Sequence, residues 1–324
     1  MMTLKILRIF AAGLCFSAVF SAVSDAAERY VVKRPVLPPE QKKPVALPEM
    51  PVNPVEINWE TDYAQAVQTA RNSCRPLLIY FRAEPDSSEQ LKPPAAACAV
   101  FDAVNLNDPQ VCSDFAPYVM LKLPMDAEIT GENGTEQTVL SLPEFSDMAG
   151  RPGLAIVDFA DESAEYYGQT TGVLPFGPEG CPTSGQTAVF LNLPQGPITQ
   201  RMLIYAVRTH RDHPRCTEGE PLPVVVQTAT DHAKYQAEKN SLGHQNFGTR
   251  SQAVIKVLGS GSPSEICAQI PVGESIYDSA IRSMRAWRNS SGHWAIARKP
   301  HKYYGFDMMK NKNGSWFAVG FFID

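Results

Sequence analysis

Apolar residues recur at helical and strand periods from Trp59 onward and scarcely at all before it. Tyr63, Ala66, Val67 and Ala70 share one helical face, and residues 77–81 form an unbroken apolar run of buried-strand type. Asp108 before Pro109 reads as a helix start, with Val111 and Phe115 facing inward. Residues 119–123 predict a second strand, residues 154–159 a third and residues 165–167 a fourth. Strands alternating with helices imply α/β layering for this half of the chain.

Pro194 and Pro197 interrupt the pattern, and a second series begins after them. Thr199 is placed to cap a helix carrying Met202, Leu203, Ala206 and Val207 on one side. His210 and His213 at its end read either as a metal pair or as a polar, cationic helix terminus. Val226, Ala229, Ala233 and Ala237 make a narrow stripe of small residues on a helix expected to end at Leu242, with Gly243 as its cap. Val254, Val257 and Leu258 mark a short helix, and Ser275 caps another that turns Tyr277, Ala280, Ile281, Met284 and Trp287 inward. Residues 303–309 and 315–323 predict an antiparallel pair turned at Asn313 and Gly314. Helices followed by strands make this half α+β.

Residues 1–27 read as a secretory signal, with Lys5 and Arg8 at the start, an apolar run after them and Ser24, Asp25 and Ala26 as a small-x-small cleavage site. Seven prolines fall within residues 31–56, so residues 28–56 read as an extended linker. No later stretch is long and apolar enough to span a bilayer once the signal is cleaved. The expected location is periplasmic or secreted. Export permits disulfides among Cys74, Cys98, Cys112, Cys181, Cys216 and Cys267, and a Cys181–Cys216 staple would close the boundary between the halves. The net charge of −5 and the lack of basic runs exclude nucleic acid as a partner. Asn133, Asn289 and Asn313 fit the glycosylation triplet, a common pattern that the bacterial-looking signal leaves without weight.

Residues 57–195 resemble a thioredoxin-like domain. Trp59 and its helix, the strand from Arg75 to Phe81, the spacing from Cys98 to Asp108-Pro109, and Pro152 before a strand carry the resemblance. It implies a cis peptide at Pro152 and a redox thiol at Cys98. The chain departs from the family at Ala95-Ala96-Ala97-Cys98, where the first of two cysteines is missing, and residues 84–94 read as an insertion. Without that thiol, ordinary disulfide exchange lacks its nucleophile, so Cys98 is either a lone reactive thiol or a structural one.

Residues 196–324 resemble a divergent bacterial CAP domain, of the cysteine-rich secretory, antigen 5 and pathogenesis-related superfamily. The resemblance rests on residues 203–208, on residues 229–236 leading to His244, on Glu265-Ile266-Cys267-Ala268, on residues 287–293 and on the final hairpin. It implies an α-β-α sandwich whose cleft gathers His244, Glu265 and His293. Two imidazoles and a carboxylate suit a divalent metal such as Zn²⁺, or a base with orienting histidines. The same three residues also read as a purely structural hydrogen-bonded cluster. The second acidic residue of the family is absent, since Arg288, Asn289, Ser290 and Ser291 follow Trp287.

Three functions follow as expectations. The first is an exported, non-catalytic or weakly catalytic binding protein whose partner is a small ligand, a glycan or an envelope protein. The second is a metal-dependent hydrolase acting through Glu265, His244 and His293. The third is a thiol redox protein acting through Cys98.

Overall fold

The computed structural model describes residues 57–85, 93–130, 134–178 and 180–324. The expected signal and linker, most of the expected insertion and Asn133 lie outside the described residues.

Helix α1 (Tyr63–Ser73) starts where the Asp62 carboxylate accepts from Gln65 N at 2.8 Å, and it ends on Cys74 in the left-handed region. After it come β1 (Leu77–Arg82), α2 (Pro93–Val104), α3 (Pro109–Asp114), β2 (Val119–Pro124), β3 (Glu128–Thr130), β4 (Glu136–Thr138), β5 (Gly153–Val157), β6 (Thr170–Pro175) and α4 (Ser184–Leu191). The Asp108 side chain caps α3 as its sequence predicts, accepting from the amides of Gln110 and Val111. β3 and β4 form a small ribbon by themselves. The first large sheet has the order β2-β1-β5-β6, with β1 parallel to β2 and both β5 pairings antiparallel. β1 and β5 occupy its centre and are buried almost throughout, which is why both read as continuous apolar runs.

The fourth strand is β6, not the expected 165–167. Asp158 and Asp161 bind nearby backbone amides through their side chains and turn the chain there, while Tyr167 packs edge-on against Phe159 at 5.6 Å. Aromatic residues that look like strand positions therefore close a turn.

The second half contains α5 (Ile198–Arg208), β7 (Glu220–Pro221), α6 (Pro223–Lys239), α7 (Phe247–Leu258), β8 (Pro263–Ile270), α8 (Ile276–Asn289), α9 (Ser291–Ala297), β9 (Tyr303–Lys310) and β10 (Trp316–Ile323). Two end assignments differ from expectation. Pro197 occupies the N-cap of α5 in extended backbone and puts Thr199 inside the first turn. α6 stops at Asn240, whose left-handed φ of 48° ends the helix before Gly243 is reached.

The second sheet runs β7-β9-β10-β8, with β10 antiparallel to both neighbours. Every residue of β10 is buried, because its two faces meet different helices. Val319, Phe321 and Ile323 share a core with Cys267 of β8 and with Val225, Ala229 and Ala233 of α6. Trp316, Ala318 and Phe322 alternate with them and join a larger core that includes Met284 and Trp287 of α8. The period of two along a strand thus sorts alternate side chains between the faces.

That larger core continues into the first sheet, taking in Leu77, Ile156 and Val173 together with Met202, Leu203 and Val207 of α5. α5 touches β6 on one side and β9 and α8 on the others. The described residues belong to one compact unit of mixed α/β class. All six cysteines among them are free thiols, so the Cys181–Cys216 staple is not formed. Cys216 is fully buried with its amide held by the Ala297 carbonyl, whereas Cys181 is partly exposed in the stretch before α4. No helix among the described residues is long and apolar enough to cross a membrane.

Candidate functional site

The edge strand β8 places Glu265 and Cys267 two residues apart, so both face α6. On α6, His232 and Gln236 stand four residues apart, on the face that buries Ala229 and Ala233. These two periodicities bring the four side chains together. His232 Nε2 meets the Gly243 carbonyl at 2.9 Å, and Gly243 N donates to Gln236 Oε1 at 3.2 Å. The loop is thus pinned to α6 through Gly243, and His244 is delivered to the carboxylate.

Glu265 is the hub. Its side chain is only 1 % exposed. His244 Nδ1 lies 2.8 Å from Glu265 Oε1, and since a carboxylate only accepts, Nδ1 carries the proton and Nε2 is left with its lone pair. Arg250, in the first turns of α7, spans both carboxylate oxygens, with NH2 3.1 Å from Oε1 and NH1 bound to Oε2. Arg250 is itself oriented by the Gln245 carbonyl, which accepts from its Nε and NH2 at 3.3 and 3.1 Å. The His293 ring, from the first turn of α9, lies 5.7 Å from the His244 ring. His244 is 47 % exposed and His293 partly so, and these two rings form the open side of the cluster.

Burial pushes the His232 and His293 imidazoles below the ordinary histidine range. For His232 the Glu265 charge partly opposes this, and for His293 the neighbouring His244 adds to it. Burial also pushes the Cys267 thiol well up, and Gln236 Nε2 lies 3.5 Å from its sulfur. The thiol is a packed, protonated group.

His232, Glu265 and Cys267 each offer one ligand atom within 4.8 Å of the others, and this buried group could hold a metal ion. Imidazole, carboxylate and thiolate suit Zn²⁺. The fit has a chemical condition: Cys267 must lose its proton, His232 Nε2 must release the Gly243 carbonyl, and Arg250 must yield at least one Glu265 oxygen.

The three residues expected in the cleft are therefore neighbours, linked through His244: one bond to Glu265 and one ring contact to His293. His232, Gln236, Cys267 and Arg250 were not among the expected residues. For the first three the signal was present, as helical and strand spacing relative to Ala229, Ala233 and Glu265. Arg250 had no such signal, because its reach across from α7 is a tertiary fact.

The other predicted positions lie elsewhere. Cys98 in α2 is fully buried, its sulfur accepts from Ala83 N at 3.3 Å, and burial raises its thiol. Pro152 directly precedes β5, and its carbonyl accepts from Phe176 N at 2.7 Å. His210 Nδ1 accepts from the Asp212 amide at 3.1 Å, and His213 occupies the left-handed region in the same turn. No family model matches the chain, and neither a curated protein nor a solved structure matches it.

Proposed function

We propose that this is an exported binding protein of the cell envelope or exterior, non-catalytic or weakly catalytic, with a thioredoxin-like module followed by a CAP-like domain whose cleft does the recognising. One observation carries the reading: both Glu265 oxygens are engaged by Arg250 and His244 inside a side chain that is 1 % exposed. A carboxylate committed in this way is a poor general base, because base catalysis needs a lone pair within reach of the substrate's proton. It is an effective orienting group, holding His244 so that Nε2 points away from the buried network. His244 and His293 then offer a small ligand, a glycan or an envelope protein two adjacent imidazoles.

The thioredoxin-like reading of the first half is supported by the strand order β2-β1-β5-β6, by α2 with Cys98 after β1, and by α4 after the last strand. With one buried thiol, that module serves packing or partner contact, in preference to redox chemistry through Cys98.

A specific feature favours a second reading, a metal-dependent hydrolase. A histidine whose Nδ1–H is held by a carboxylate is the arrangement commonly found behind a metal-ligating Nε2. His244 and His293 would then hold Zn²⁺, with Glu265 behind them as orienting group. Zn²⁺ at such a site acidifies bound water. Zinc titration of the purified protein, in parallel with a His244→Ala/His293→Ala double variant, separates the two. Stoichiometric binding lost in the variant establishes the metal cleft. Absence of zinc binding in the parent leaves the binding reading standing and sinks the hydrolase.

A further inference from the structure

A cavity of about 550 Å³ opens between α4, α5 and α8, and none of the residues lining it belongs to the His244 cleft. Its size falls within the range of small-molecule sites. Tyr205 and Tyr277 lie in its wall with rings 6.0 Å apart, the first buried and the second half-buried. Arg211, Arg285 and Arg288 also line it, and among the described residues no Asp or Glu does. In a chain with 34 acidic and 29 basic residues, that is a local reversal of the average charge.

The arginines differ in their engagement. Arg288 is bonded through Nε to Asp212 and stacks over Trp294 at 4.7 Å, which fixes the plane of its guanidinium. Arg211 lies 3.7 Å from the same carboxylate and is 91 % exposed. Arg285 is exposed and has no ion pair among the described residues. Three guanidiniums against one carboxylate leave two positive charges at the cavity. His210 adds a donor: its Nδ1 accepts from the Asp212 amide, so the neutral ring carries its proton on Nε2.

We infer that this cavity binds a phosphate monoester of a ring-bearing molecule, with the arginines receiving the phosphate and Tyr277 facing the ring. A phosphate monoester carries about −1.5 to −2 charges at pH 7, which matches the surplus, and guanidiniums bind phosphate oxygens in a fork. A cavity of about 550 Å³ has room for a body beyond the phosphate, and Tyr277, backed by the buried Tyr205, gives that body an aromatic face.

Calorimetric titration of the full chain with phenyl phosphate, inorganic phosphate and phenol tests the assignment. Phenyl phosphate should bind roughly tenfold or more tightly than either fragment alone. Arg285→Gln, at an exposed and unpaired position, should fold normally and weaken phenyl phosphate roughly tenfold. Tyr277→Leu should erase the preference for phenyl phosphate over inorganic phosphate while leaving the latter unchanged. Phenyl phosphate binding no tighter than phosphate, or not at all, overturns the inference. So does binding that survives Arg285→Gln yet is lost in His244→Ala/His293→Ala, which would put the anion in the cleft.

Discussion

At the scale of single residues, Arg250 decides what the buried cluster can do. Its guanidinium engages both oxygens of Glu265, the carboxylate that a metal held with His232 and Cys267 would also need. Arg250→Met should lower the stability of the zinc-free protein by about 3 kcal/mol, since one partner of a buried pair is left alone. It should also make zinc stabilising, because Glu265 is then free to ligate. Thermal melts of parent and variant with and without zinc check this, and a variant indifferent to zinc would remove the His232–Glu265–Cys267 group from consideration as a metal site. The histidines give a second expectation. His232 and His293 bind protons less readily folded than unfolded, so both are neutral in either state above the ordinary histidine value of about 6.5. As pH falls below it the unfolded chain takes up protons that the folded state refuses, and stability declines. Urea unfolding at pH 7.5 and 5.0 should show that decline, and His293→Gln should flatten it; a protein equally stable at both pH values contradicts the mechanism.

At the scale of elements, the close approach of α6 to the sheet depends on Gly305. A Cβ there would stand 2.5 Å from the Val225 carbonyl and from Val226 Cα, so helix and strand touch backbone to backbone. Gly305→Ala should cost about 3 kcal/mol. Gly185 in α4 has nothing within 4 Å of the same position, and Gly185→Ala should stabilise by about 0.5 kcal/mol. Opposite signs in chemical denaturation are the prediction; equal effects would mean that α6 yields without strain. The elements also show what local patterning conveys. α1, β1, α3, β2, β5, α8 and the β9–β10 hairpin follow from apolar period and capping residues, as does the small-residue face of α6. β8 escaped because Ser264, Glu265 and Gln269 dilute its apolar run, and its strand character comes from pairing with β10. His244, Glu265 and His293, expected together in the sequence, are neighbours in the structure, whereas the place of Arg250 beside them came only with the fold.

At the scale of the molecule, α5 is common ground. Leu203 is fully buried in the core that reaches from Leu77 in the first sheet to Phe306 in the second. Leu203→Ala should cost about 3 kcal/mol and loosen both sheets at once. Fluorine-labelled tryptophans report this: Trp59 beside Tyr80 of β1, and Trp316 in β10, should lose their native signals at one common, lowered midpoint. Separate midpoints would divide the unit into independent halves. The position of β10 governs when the cluster around Glu265 comes together. Among the described residues β8 has only β10 for a neighbour in the sheet, and Glu265 pairs with Phe321 and Cys267 with Val319. During folding Glu265 therefore lies on an unpaired segment until the segment carrying Phe321 docks beside it. The cluster around Glu265 is thus a late product of folding, and whatever meets the protein before β10 has docked meets it without that cluster.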